Sequence, residues 1–119
     1  MLIENVIEHL AENREVIESY VLVREIKLYL DVGQDHFHPS IKVKIYKSSA
    51  IKQAPYHFEV SHHVHTPEQA APYYTSITSA ETENSAIERA ISTTTSFIKS
   101  AIQAGREPSE SWLIPNDEF

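Results

Sequence analysis

Three stretches between residues 21 and 65 alternate apolar and polar side chains with a period of two. That alternation constrains the fold more than any other feature of the chain, because it is the signature of strands with one buried and one solvated face. In residues 21–32, Leu22, Ile26, Leu28, Leu30 and Val32 point one way, with Arg24 as an exception, while Glu25, Lys27, Tyr29 and Asp31 point the other. Residues 40–47 repeat the pattern with Ile41, Val43 and Ile45 inward and Lys42, Lys44 and Tyr46 outward. Residues 56–65 do so again, with Tyr56, Phe58, Val60, His62 and Val64 on one face and His57, Glu59, Ser61, His63 and His65 on the other. Short polar connections join the three, which predicts an antiparallel meander.

The flanks read as helices. Leu2, Ile3, Val6, Ile7, Leu10, Ile17 and Tyr20 keep the i, i+3/i+4 spacing of one helix over 2–20, its glutamates on the opposite side. A longer helix is predicted over about 81–104, capped near Ser79, with a stripe of Ala86, Ile87, Ala90, Ile91, Thr94, Phe97, Ile98, Ala101 and Ile102. Gly105 is placed to end it, with Pro108 beyond. Residues 66–80 form a connector marked by Pro67 and Pro72, in which Tyr73–Ile77 is a candidate edge strand. The order α-β-β-β-(loop)-α predicts an α+β fold: a two-layer sandwich with a three-stranded antiparallel meander, a candidate fourth strand, and two helices on one face. The 119 residues are expected to form one domain, with residues 106–119 a tail that packs back on the core or on a partner. This strand-and-helix order is similar to that of the double-stranded RNA-binding domain. That family places lysines at the start of its last helix, where this chain has Glu81-Thr82-Glu83-Asn84-Ser85, a stretch that would repel phosphate.

Charge and composition narrow the function. The net charge of −7 is unevenly spread. Residues 1–20 carry five acids against one base, residues 21–65 six bases against four acids, and residues 66–119 eight acids against three bases. An acidic chain weighs against general nucleic-acid binding, which needs a dominant basic surface. No cysteine is present, which removes disulfides, thiolate nucleophiles and cysteine-ligated metal centres. The first residues lack the basic and apolar regions of a secretory signal, and no apolar run is long enough to span a bilayer. A cytoplasmic protein is the expectation.

Six of the seven histidines fall between residues 36 and 65. In a meander, the connection holding His36 and His38 and the end of the strand holding His63 and His65 lie at the same edge of the sheet. Alternate strand residues share a face and stand about 6–7 Å apart, so His63 and His65 could converge on one ion. With Asp31 or Asp35 nearby, the four histidines form a candidate site for zinc, nickel or manganese. The outer sheet face offers a second candidate: Lys27, Tyr29, Lys42, Lys44, Tyr46 and Glu59 could receive a small anion or an acidic protein segment. No glycine-rich phosphate loop and no nucleophile elbow, zincin or kinase signature is present. The chain is therefore read as a binding, adaptor or regulatory protein without catalytic activity or a required cofactor. Self-association into a homodimer, through the sheet face or the edge of the first strand, is expected. A metal-binding protein or metal-dependent enzyme centred on the histidines is the alternative.

Overall fold

The computed structural model describes residues 2–119 apart from the Glu4 side chain. The elements run α1 (Ile3–Ala11), β1 (Tyr20–Tyr29), β2 (Ser40–Ser48), β3 (Tyr56–Val60), β4 (His62–Val64), β5 (Ser79–Ala80), α2 (Glu83–Gln103) and β6 (Leu113–Pro115). A single 3₁₀ turn, Glu110–Trp112, precedes β6. Strands β1, β2, β3 and β5 form a four-stranded antiparallel sheet in that order, and β4 pairs with β6 in a small second sheet. The α+β class and the expected order of helices and strands are both present.

Helix α2 holds the two sheets together. Ala86, Ala90, Thr94, Ile98 and Ala101 recur every three or four residues and are all buried. The small side chains of Ala86 and Ala90 let the helix approach Ile41, Val43, Ile45, Phe58 and Val60 closely, and these form the main core. Further along the helix, Ile98 and Ala101 enter a second cluster with Val32, Val64, Trp112 and Leu113. Both ends of α2 are sealed. The Thr82 hydroxyl accepts the Ser85 amide at 3.0 Å as an N-cap. At the other end the Gly105 and Arg106 amides donate to Ile102 and Ala101, both at 3.0 Å, in a Schellman motif. Gly105 takes φ = 89°, the left-handed conformation this motif needs at that position.

Four departures from the sequence-based expectations stand out, three of them with a local physical cause. Helix α1 stops at Ala11, not near residue 20, because the Asn13 side chain accepts the Glu15 amide at 2.9 Å and turns the chain locally. Ile17, on the predicted core stripe, is 100% exposed. Strand β1 carries a bulge between Leu22 and Arg24, so Leu22 pairs with Tyr46 while Arg24 pairs with Ile45. The bulge flips the alternation: Leu22 faces outward, and Arg24 faces the helix layer, where it pairs with Glu83 in the first turn of α2. The third predicted strand breaks at Ser61. Its hydroxyl accepts the Lys42 amide and its amide donates to the Lys42 carbonyl, after which the chain leaves the sheet and pairs with β6. Finally, the fourth strand is Ser79–Ala80 and not Tyr73–Ile77.

The C-terminal tail straps back across the second sheet. The His65 amide donates to the Trp112 carbonyl, and Asn116 bonds the main chain at Ser61 and Val60. Trp112 lies edge-on to Phe37 with ring centroids 6.4 Å apart.

Candidate functional site

The register of the sheet sets out its open face row by row, since directly paired residues share a side. Across β1, β2 and β3 the rows are Leu22–Tyr46–His57 and Glu25–Lys44–Glu59, with the two-strand rows Lys27–Lys42 and Tyr29–Ser40 beyond them. Lys27, Tyr29, Lys42, Lys44, Tyr46 and Glu59 therefore share one surface. Leu22 and Tyr20 join them because of the bulge. The only hint of this in the sequence is the break in alternation at Arg24.

Two kinds of environment divide that surface. At the centre Lys44 stands between Glu25 and Glu59 in the cross-strand rows. Its ammonium also bonds the Phe119 main-chain oxygen and lies 4.2 Å from the centre of the Phe119 ring. Lys44 is thus engaged by the tail. Burial, then the charges of Glu59 and Glu25 and a hydrogen bond to Glu59, raise the Tyr46 phenol above its ordinary value. The His57 ring meets Tyr20 edge-on at 5.4 Å, and burial pushes its imidazole below its usual range against the opposing pull of Glu18. Toward the β1 end the face is open. Tyr29 is 69% and Leu22 48% exposed, and Lys27 stands 5.3 Å from the Tyr29 ring. Lys27 faces Lys42 directly, a like-charge pair that disfavours the bare sheet and favours an incoming negative group.

A cleft of about 450 Å³ opens beside β3, past the point where β5 ends. His62, His63, Tyr73, Tyr74, Thr93 and Asn116 are among the residues that line it. His63 packs on Tyr74 with ring centroids 4.4 Å apart. Burial lowers its affinity for a proton, a hydrogen bond to the Tyr73 main chain partly restores it, and the neighbouring His62 lowers it again. The Ser61 hydroxyl lies 2.8 Å from His62 Nδ1, but that same hydroxyl accepts the Lys42 amide. Among the described residues no carboxylate bonds the other His62 nitrogen, so the pair lacks the third group that would orient a base for nucleophilic catalysis. The Tyr73–Tyr74 pair is visible in the sequence, but nothing there indicates that it meets His63.

The candidate metal residues lie in two segments, the β1–β2 connection and β4 with the residue that follows it. His36 and His38 are exposed in the connection between β1 and β2. His63 packs on Tyr74, and His65 Nε2 is 3.1 Å from the Gln69 carbonyl oxygen. Because β4 leaves the main sheet, His63 and His65 do not extend β3 as convergence on one ion would require. Among the described residues no three His, Asp or Glu side chains are gathered where they could hold a metal ion, and Asp31 instead accepts the Gly33 amide at 2.9 Å. Comparison with family models, with curated proteins and with solved structures gives no match. No helix among the described residues is long and apolar enough to cross a membrane.

Proposed function

We propose that the chain is a small cytoplasmic protein that works by binding, as an adaptor or regulatory subunit, through the open face of its sheet and as a homodimer. The observation that carries this reading is the exposed Tyr29 beside the Lys27–Lys42 pair on the face opposite α2. Isolated exposed apolar residues are ordinary, but a tyrosine in the row next to two lysines set opposite one another makes a surface with a chemical preference. A short acidic segment carrying an aromatic or aliphatic side chain fits it. The carboxylates would sit between Lys27 and Lys42, and the apolar group against Tyr29. Charged pairs of this kind set orientation and association rate, while the buried ring supplies most of the affinity.

Titration of ¹⁵N-labelled protein with acidic aromatic peptides, monitored by NMR, tests the proposal. The amides of Lys27, Tyr29 and Lys42 should shift together, and a Tyr29→Ser/Lys42→Glu variant should lose the response while keeping its fold. Shifts confined to His63 and Tyr74 would move the binding site to the cleft and overturn the reading. So would a set of peptides that leaves every amide unmoved.

A further inference from the structure

Strand β1 is an edge of the sheet: among the described residues β2 is its only paired strand, and α1 also contacts it. It is ten residues long, and among the described residues no strand lies beyond it. Natural sheets blunt such edges with proline, bulges or a covering element, because unpaired N–H and C=O groups recruit another strand. Here the bulge lies at the Leu22–Arg24 end, and residues 25–29 run in unbroken register with β2.

Which backbone groups face outward is fixed by one hydrogen bond. The Leu30 amide donates to the Pro39 carbonyl, so Leu30 directs its backbone to β2. In an antiparallel ladder this role alternates, so Leu28 and Ile26 also face β2, whereas Glu25, Lys27 and Tyr29 direct theirs to the free edge. An incoming antiparallel strand must pair with these odd-numbered residues. If that strand is a second β1, only a few registers satisfy both chains. Pairing Glu25 with Glu25, or Lys27 with Lys27, sets like charges opposite one another across the two-fold axis. The register centred on Ile26 instead pairs each Glu25 with the other chain's Lys27, twice, and sets Ile26 against its own copy.

Burial agrees with this register. Ile26 pairs with Val43 and Leu28 with Ile41, which are 0% and 1% exposed, yet Ile26 and Leu28 are only half-buried. Both lie on the helix side of the sheet; α2 packs on β2 and β3 and α1 contacts β1, but no strand lies beside their outer flank among the described residues. A second copy would cover that flank. It would also place a glutamate beside Lys27, whose own cross-strand neighbour is Lys42.

We propose that two chains associate through antiparallel β1–β1 pairing centred on Ile26, with reciprocal Glu25–Lys27 pairs, making one continuous eight-stranded sheet. This specifies the homodimer of the proposed function and rests on that part of it. The two open faces then become one surface, with the Tyr29 residues of both chains on the same side.

Sedimentation velocity and charge reversal test the proposal. The wild-type chain of 13.6 kDa should sediment at twice that mass. Glu25→Lys alone and Lys27→Glu alone should each weaken association on the order of tenfold or more, since two opposed pairs become two like-charge pairs. An equimolar mixture of the two variants should recover the dimer, because the lysines of one chain then meet the glutamates of the other. Circular dichroism of each variant checks that its fold is kept. The chain contains no native cysteine, so Ile26→Cys should form a disulfide-linked dimer on mild oxidation, while Glu25→Cys and Lys27→Cys should not. A wild-type monomer at high micromolar concentration overturns the inference and leaves the peptide titration unaffected. A dimer that ignores both charge reversals, or that cross-links through residue 25 or 27, also overturns it.

Discussion

Replacing Trp112 by alanine should be the most damaging single change in the tail, and the contrast with Ile17→Ala makes it informative. Trp112 is 5% exposed and closes the second core against Phe37, Val64 and Ile98. An indole buries about 200 Å², which at about 25 cal/mol per Å² corresponds to about 5 kcal/mol of transfer free energy. A compact unfolded state lowers that figure, so the expected loss is about 3–4 kcal/mol, within the usual range for aromatic-to-alanine changes in cores. That is a large share of a stability of about 5–15 kcal/mol. Ile17 lies on the apolar stripe that periodicity assigns to the core, but it is fully exposed, so Ile17→Ala should change stability by less than about 0.5 kcal/mol. Urea unfolding monitored by far-ultraviolet circular dichroism measures both without relying on the one tryptophan. A Trp112→Ala cost below about 1 kcal/mol, or an Ile17→Ala cost as large as a core truncation, would refute this division between core and surface.

Two further outcomes can be measured the same way. Gly105→Ala should cost about 1 kcal/mol, and purely through the backbone, because φ is 89° and an added Cβ meets nothing within 4 Å; an unchanged midpoint would mean that the Schellman turn is not held. His57 and His63 both bind protons less readily in the folded state than at their ordinary value of 6.5. The unfolded chain therefore takes up more protons as pH falls through 6.5, so stability should be flat above about pH 7 and fall as the pH drops through and below 6.5. A His57→Gln/His63→Gln variant should flatten that slope, and an unchanged slope would assign it to other groups.

The main architecture is legible in the sequence because period-two alternation and the α2 stripe each point to one solution, and Gly105 marks the end of that helix. The parts that are not legible turn on side chains that bond to the backbone. Asn13 ends α1 by accepting one amide, and Ser61 diverts the third strand by engaging Lys42 from both sides. Neither residue breaks hydrophobic periodicity, so neither leaves a trace in a pattern of apolar positions. The outer-face residues share a surface because they sit in the regular parts of β1, β2 and β3. No three of the histidines and acids gather to hold a metal ion among the described residues, and the strand expected to carry His63 and His65 breaks at Ser61. The cleft depends on contacts between His63 and a connector further along the chain, which no local pattern encodes.

The single extra residue in β1 works as a phase shifter. Upstream of it, even-numbered side chains look out; downstream, even-numbered side chains look in. One strand thereby serves two neighbours with incompatible needs: Arg24 reaches the acidic start of α2, while Leu22 is released to the opposite surface. Deleting Val23 would remove the extra residue and leave Leu22 opposite Tyr46 on the open face, with Arg24 still turned toward α2. Conversely, an insertion or deletion of one residue elsewhere in β1 would invert every downstream side chain and expose Ile26 and Leu28. Outside that position the strand should therefore tolerate substitution far better than any change in length.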